Sequence, residues 1–297
     1  MRILFTIPHY YDAKGGGAYG SLAPDADARQ SALRALIRDL HATFGRKQGM
    51  FRRKQGFSGR SIVPSNTLQA ADIEVVICTT GGAHLVGALN LPDSLYRHWS
   101  TSAEPRFLGF ECHHVLKSGL GQFDYYCYLE DDVSPQDALF FQKLNWFNRL
   151  AGDEAVLQPN RFEAATGQPV DKLYIDGTLN EREWSERWQD VSDRTVIESE
   201  AFGVPVVFRR VNNPHAGCFF LNARQMAHWA AQPTFLKREI TFGGPLESAA
   251  TYGVMRYFRV YKPARANAAF LEVRHLDNRF LGKRLKLRDG VASEDQA

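Results

Sequence analysis

Four cysteines are spread over 297 residues, Cys78, Cys112, Cys127 and Cys218, and none stands in a CxxC or CxxH spacing. That excludes a disulfide-stapled small fold and a cysteine-based zinc site. All four lie in apolar or strand-like contexts and read as reduced thiols of a cytoplasmic protein. The opening run Met1–Pro8 lacks the apolar core of about 7–15 residues and the small-residue cleavage site of a signal peptide. No stretch approaches the ~18 apolar residues of a membrane span, so membrane contact is expected only at the periphery. Charge of one sign is not in excess either. The 36 Lys and Arg against 33 Asp and Glu leave +3, too balanced for nucleic acid as the main partner. No DxDxDG calcium loop occurs. With 44% hydrophobic and 23% charged residues, the composition is globular and excludes a collagen, a coiled coil and a wholly disordered chain. The length suits two domains or one large α/β domain. Without a clean linker, one domain is expected.

Strand and helix patterns alternate through the first half. Arg2–Ile7 reads as a buried strand ending at Pro8, followed by a loop with Gly15, Gly16, Gly17 and Gly20. From Asp27 to Phe44, apolar Leu33, Leu36, Ile37, Leu40 and Phe44 recur on one helical face. Arg46–Arg60 carries six Lys or Arg, no acid, and the tetrapeptide Arg-Lys-Gln-Gly twice; it is expected to be a mobile loop. Ile73–Cys78, Phe107–Phe110 and Tyr125–Leu129 read as strands, with Cys112–Ser118 helical. Strands alternating with helices imply a parallel α/β sheet, and ligands of such sheets sit at the strands' carboxyl ends. Later, helices are expected over Asp137–Leu150, Ala223–Ala231 and Pro245–Phe258. Short strands are expected at Ala155–Gln158, Lys172–Ile175, Pro205–Phe208, Cys218–Leu221 and Phe258–Tyr261. Residues 178–199 read as a polar excursion, and the tail from Asp289 as frayed.

Four short motifs carry chemistry. The strand Tyr125–Leu129 runs straight into Glu130-Asp131-Asp132. Adjacent carboxylates raise one another's pKa, and a hard divalent cation such as Mg²⁺ or Mn²⁺ relieves the repulsion while leaving coordination positions for phosphates. The bland alternative is one helix-capping acid and two solvated ones. His275 can complete a Mn²⁺ shell or be an ordinary surface or core residue. Glu247, in Gly243-Gly244-Pro245-Leu246-Glu247, is either an acid favoured by a helix start or a general base for a hydroxyl. Gly217, in Asn213-Pro214-His215-Ala216-Gly217, permits close backbone approach to a ligand or a neighbouring chain.

Taken in order, these pieces resemble the GT-A fold nucleotide-sugar glycosyltransferases. Ile3–Pro8 stands for the nucleotide-binding strand and Glu130-Asp131-Asp132 for the acidic metal motif. Pro214–Gly217 stands for the glycine loop, Leu246-Glu247 for the acid at a helix start, and His275 for the C-terminal metal ligand. Two departures are visible: the acidic motif is Glu-Asp-Asp where the family has Asp-x-Asp, and Pro245-Leu246-Glu247 lacks the family's final Asp. The resemblance spans roughly residues 1–280. It implies an α/β GT-A-like fold with a mostly parallel, Rossmann-like central sheet and a small C-terminal acceptor-side region. One catalytic domain over 1–285 is expected, 1–135 binding nucleotide and 136–285 binding acceptor, with 286–297 a polar tail. It further implies a divalent metal held by Asp132 with Glu130 and His275, and a nucleotide-diphosphate sugar as donor. Thr6, Pro8, His9, Thr79, Thr80, Glu130 and Asp131 would line the donor, and Arg29 would reach its diphosphate. Glu247 would deprotonate a hydroxyl of a glycan, polysaccharide or lipid-linked acceptor, with inversion. Residues 178–199 and 213–217 would shape the acceptor site. Gly15–Gly17 reads equally as a loop closing over the donor or as a connector. The basic 46–60 stretch, with Phe51 and Phe57, reads as an anionic-lipid contact, a phosphate contact or a solvated loop. A nucleotidyltransferase acting on sugar phosphates and a non-catalytic cation- or carbohydrate-binding protein are the competing classes.

Overall fold

The computed structural model describes residues 1–14, 22, 25–53, 60–166, 169–177, 185, 187–277 and 279–281. Gly15–Gly17, most of the 178–186 stretch and the tail after 281 lie outside them. Four strands run parallel at the centre: β1 (Arg2–Pro8), β4 (Asp72–Thr80), β5 (Arg97–Thr101) and β6 (Tyr125–Leu129). A fifth, β13 (Cys218–Asn222), joins antiparallel to β6, and the order is β13-β6-β1-β4-β5. The α/β class and mostly parallel sheet expected from the sequence are present.

Both faces of this sheet are covered, which is why its inner strands are nearly continuous apolar runs. Alternate residues part to the two faces. Ile3, Phe5, Ile7, Val75, Ile77, Cys127 and Leu129 share one core with α1 (Ala26–Phe44) and α3 (Phe140–Ala151). Leu4, Val76, Cys78, Tyr126 and Tyr128 share the other with α2 (Leu108–Ser118) and α4 (Ala223–Ala230). The face of α1 is the one its periodicity gives, with Leu33, Leu36, Ile37, Leu40 and Phe44 buried. Asp25 caps its start by accepting the Ala28 N–H at 2.9 Å, a use of an orphan donor that favours Asp there. All four cysteines are free and buried.

Two smaller sheets flank the central one. The first has the order β10 (Lys172–Tyr174), β9 (Asn160–Ala164), β15 (Glu272–His275), β7 (Val133–Ser134). The second has the order β11 (Val196–Ala201), β12 (Val204–Arg210), β14 (Arg259–Pro263), β8 (Ala155–Leu157). Sheet membership crosses residue 135 both ways: β7 pairs with β15, and β13 pairs with β6.

Three expectations are corrected. Phe107–Phe110 is not a strand; Pro105–Phe107 is a 3₁₀ turn and Leu108 begins α2. Leu108, Cys112, Val115 and Leu116 repeat at helical spacing, and that period prevails. The central sheet's unexpected strand is Arg97–Thr101, an exposed edge with no apolar pattern to announce it. The basic 46–60 stretch is not simply a loop, since β2 (Gly49–Arg53) and β3 (Arg60–Pro64) form a hairpin, with 54–59 outside the described residues. The helix expected at Pro245–Phe258 is α5 (Pro245–Glu247), a π turn (Ser248–Tyr252) and α6 (Gly253–Tyr257). Such π turns gather at functional sites.

Candidate active site

Beyond Leu129 the chain leaves the central sheet in a tight turn, the Glu130 N–H bonding the Gly217 carbonyl and the Val133 N–H bonding that of Glu130. The turn sits at the carboxyl ends of the parallel strands, where β1 delivers His9 and α1 delivers Arg29. Asp131 and Asp132 are buried. Their repulsion is met by a side chain: the Arg29 guanidinium donates to Asp132 Oδ2 at 2.9 Å and also pairs with Asp131. Arg29, a candidate for the donor's diphosphate, is therefore the acids' own countercharge in this structure. Asp131 Oδ2 is also 2.5 Å from His9 Nδ1. The Leu85 N–H donates to His9 Nε2 at 3.1 Å, so Nδ1 carries the proton and donates to Asp131. Burial raises the Asp132 carboxyl, but Arg29, with His275 and Arg279, outweighs it and holds the group below its ordinary value. Burial lowers the Arg29 pKa, yet Asp131 and Asp132 carry it above its ordinary value.

His275 arrives through sheet pairing. In β15 it stands opposite Val133, and the next N–H, Leu276, bonds the Asp132 carbonyl at 2.8 Å. Its Nδ1 donates to Glu163 Oε1 at 2.8 Å. Glu163 is buried, and its Oε2 accepts the N–H groups of Phe280 and Leu281. The ring is thus held with Nδ1 on Glu163 and with Nε2 turned toward Asp132, 3.9 Å from its Oδ2. A carboxylate behind a histidine fixes the tautomer and orientation of metal-ligating imidazoles.

Glu130 faces a second set of groups. Its Oε2 lies 3.9 Å from Arg161, and its Oε1 lies 3.8 Å from His215 Nε2. Burial pushes its carboxyl up against the pull of Arg161, and Asp132, Glu247 and Asp131 add to the rise, to about 8. Gly217 makes this packing possible. Its φ is +63°, and a Cβ there would lie 2.8 Å from Glu130 Oε2, so glycine answers both demands. The expected close approach at Gly217 is to this carboxylate. Behind it, Arg161 pairs with Asp176 at 2.8 Å. Lys262 Nζ donates to Asp176 Oδ2 at 3.0 Å and to the His215 carbonyl at 2.6 Å, pinning the 213–217 loop. Burial raises the Asp176 carboxyl, but Arg161 and Lys262 bring it down to about 2. Burial pushes His215 well below its ordinary value, and its Nδ1 lies 3.0 Å from Thr251 Oγ1 in the π turn. Glu247, half-buried at the end of α5, is among the charges acting on Glu130, and its carboxylate folds over Gly244.

The remaining candidates have structural partners. The Thr6 hydroxyl donates to the Cys127 carbonyl at 3.0 Å, tying β1 to β6. Thr79 Oγ1 meets His98 Nε2 at 2.7 Å, and the Thr80 hydroxyl donates to the Ala103 carbonyl. Pro8 ends β1 beside Cys78. Sequence reasoning missed Glu163, Arg161, Asp176 and Lys262; each gains its meaning from strands that meet only in the folded chain.

The site's chemistry fits a cation that shares its shell with a substrate. Among the described residues no group of three or more His, Cys, Asp or Glu is arranged to hold a metal ion. Yet Asp132 Oδ1 and Glu130 Oε1 are buried oxygens without a hydrogen-bond partner. The 3.9 Å between His275 Nε2 and Asp132 Oδ2 is too long for a hydrogen bond. It is short enough for both atoms to reach one ion through bonds of about 2.0–2.2 Å. Mg²⁺ commonly takes one or two carboxylates from the protein and the rest of its shell from water and phosphate.

No protein-family model and no curated protein sequence matches the chain. Among solved structures it is similar to S. aureus TarS, at 7% identity and a TM-score of 0.45, over 89% of this chain and 35% of that one. It thus spans about a third of that TarS chain. It is similar also to S. aureus TarS 1–349 in complex with UDP-GlcNAc, at 10% identity and a TM-score of 0.42, over 96% and 62% of the two chains. Mouse xyloside xylosyltransferase 1 in its apo form is similar at 11% identity and a TM-score of 0.38, over 86% and 82%. The likeness is distant in every case.

Proposed function

We propose that this protein is a metal-dependent glycosyltransferase. It moves a sugar from a nucleotide-diphosphate sugar to a hydroxyl of a glycan, polysaccharide or lipid-linked saccharide, with inversion. The observation that supports this most is the pair formed by Asp132, with one oxygen unpartnered, and His275, its Nε2 turned toward Asp132 by Glu163. The pair stands at the carboxyl ends of a parallel sheet, where ligands of such sheets bind.

In this reading Asp132 and His275 hold Mn²⁺ or Mg²⁺, which supplies Lewis-acid stabilisation to the leaving nucleoside diphosphate. Arg29 is the cation within reach of that diphosphate, released to it when the acids gain another countercharge. His9, Pro8, Thr79 and Thr80 wall the nucleotide side, and Thr6 supports them from within the sheet. Asp131, held by His9 through Oδ2, presents there as a hydrogen-bond acceptor the Oδ1 that Arg29 gives up. Glu247 takes the proton of the acceptor hydroxyl as the oxygen attacks the anomeric carbon from the face opposite the leaving phosphate. The bond from that carbon to the phosphate oxygen breaks, and the nucleoside diphosphate leaves.

The test is release of nucleoside diphosphate from a panel of nucleotide sugars, with Mn²⁺ or EDTA. Metal-dependent release by the wild type, lost in Asp132→Ala, is expected. Glu247→Gln should keep donor binding and lose transfer by roughly a hundredfold or more. Pyrophosphate release from a nucleoside triphosphate and a sugar phosphate would instead assign nucleotidyl transfer. Cation binding without turnover of any donor would assign a binding protein.

A further inference from the structure

Residues 40–71 contain no Asp or Glu, while 46–60 alone contain six Lys or Arg, in a chain whose net charge is only +3. Four exposed large hydrophobic side chains fall in the same stretch: Met50 (64% exposed), Phe51 (58%), Ile62 (76%) and Leu68 (100%). Elsewhere among the described residues such side chains fall singly, as Trp99 and Leu150 do, or as the pair Phe202 and Val204. Among the described residues the β2–β3 hairpin at its centre is a sheet of its own, paired with no other strand. Its register sets Phe51 opposite Ile62 and Arg52 opposite Ser61, and Arg53 lies opposite Arg60. A two-stranded hairpin in water is marginal without something to pack on. Here an apolar cross-strand pair faces solvent inside a basic stretch. Clustered exposed apolar groups mark a contact surface.

We propose that this hairpin docks the protein on an anionic phospholipid bilayer. Phe51 and Ile62, a cross-strand pair on one face of the hairpin, enter the interface, while basic residues of the stretch meet the headgroups. Apolar insertion and attraction of Lys and Arg to an anionic leaflet add in such contacts, and the absence of any acid over 32 residues is the matching charge pattern. The hairpin joins the end of α1 to the start of β4, so it lies at the amino ends of the parallel strands. The acids lie at the carboxyl ends, and the nine residues of β4, at ~3.3 Å each, separate the two by roughly 26–30 Å. Docking therefore leaves the site at the far end of the sheet, and the inference stands independently of the reaction proposed above.

Co-sedimentation of the full chain with phosphatidylcholine vesicles, with and without phosphatidylglycerol, tests it. Binding to the mixed vesicles only, weakened by salt, is expected. The double variant Phe51→Ser/Ile62→Ser should bind them roughly tenfold more weakly or worse. Both side chains are exposed, so its fold and any nucleotide binding stay as in the wild type. A Phe51→Trp variant reports insertion directly, through a blue shift of its added emission on mixed vesicles. No binding to the mixed vesicles, binding undiminished in the double variant, or no spectral change would each overturn the proposal. So would a wild-type dimer that the double variant dissociates, which would assign the patch to a second copy of the chain.

Discussion

Arg29→Met removes the guanidinium that joins Asp131 to Asp132 and keeps much of the side chain's apolar length. The two acids remain buried, with His9 donating to only one of them. Removing one partner from a buried ion pair costs about 3–5 kcal/mol, because the other is left uncompensated. For 297 residues the unfolding entropy is about 0.6 kcal/mol per kelvin, so the midpoint in EDTA should fall by about 5–8 °C. The same change opens the acids to a metal ion. A cation at about 100 times its Kd returns about 2.7 kcal/mol, or about 4 °C. Mn²⁺ should therefore rescue the variant well, and raise the wild type less, since Arg29 already answers its acids. Scanning fluorimetry in EDTA and across a Mn²⁺ series reads both effects. An Arg29→Met protein as stable as the wild type in EDTA, or no more responsive to Mn²⁺, would refute the role of Arg29 as resident countercharge.

Two further outcomes follow from neighbouring geometry. In Glu163→Gln the amide oxygen stays with the Phe280 and Leu281 N–H groups, so the amide nitrogen donates to His275 Nδ1 and moves the ring proton to Nε2. Mn²⁺ affinity, measured by calorimetry with the nucleotide present, should weaken by about 10–100-fold; unchanged affinity would remove His275 from the metal's shell. Asp176, held at about 2 against an ordinary 3.8, binds fewer protons folded than unfolded. Its stabilisation, about 2.4 kcal/mol, is present above pH 3.8 and lost as pH falls through 2. Acid unfolding of Asp176→Asn should lack that component, and identical pH slopes below pH 4 in variant and wild type would contradict the assignment.

The parts of the site legible in the sequence are those made by one short segment. A buried strand running into Glu130-Asp131-Asp132 shows both its burial and its electrostatic problem in eight residues. The α1 face was readable because one helix buries one stripe. Arg97–Thr101 was not, because an exposed edge strand needs no apolar pattern. Glu163 was not, because it is coupled to His275 only through the parallel pairing of β9 with β15, across more than a hundred residues. Arg161, Asp176 and Lys262 were silent for the same reason: three charges in three unremarkable segments become a buried network only after two sheets form. The repulsion within the acidic turn pointed to a cation, and the fold supplies one from its own chain in Arg29.

The most direct test of the central claim is calorimetric titration of the protein with nucleoside diphosphates, with Mn²⁺ and with EDTA, for the wild type and Asp132→Ala. The account predicts that at least one nucleoside diphosphate binds the wild type more tightly with Mn²⁺ than with EDTA. It also predicts that Asp132→Ala, still folded, loses that difference. Equal affinity with and without Mn²⁺ in both proteins, or no binding of any nucleoside diphosphate to either, would contradict it.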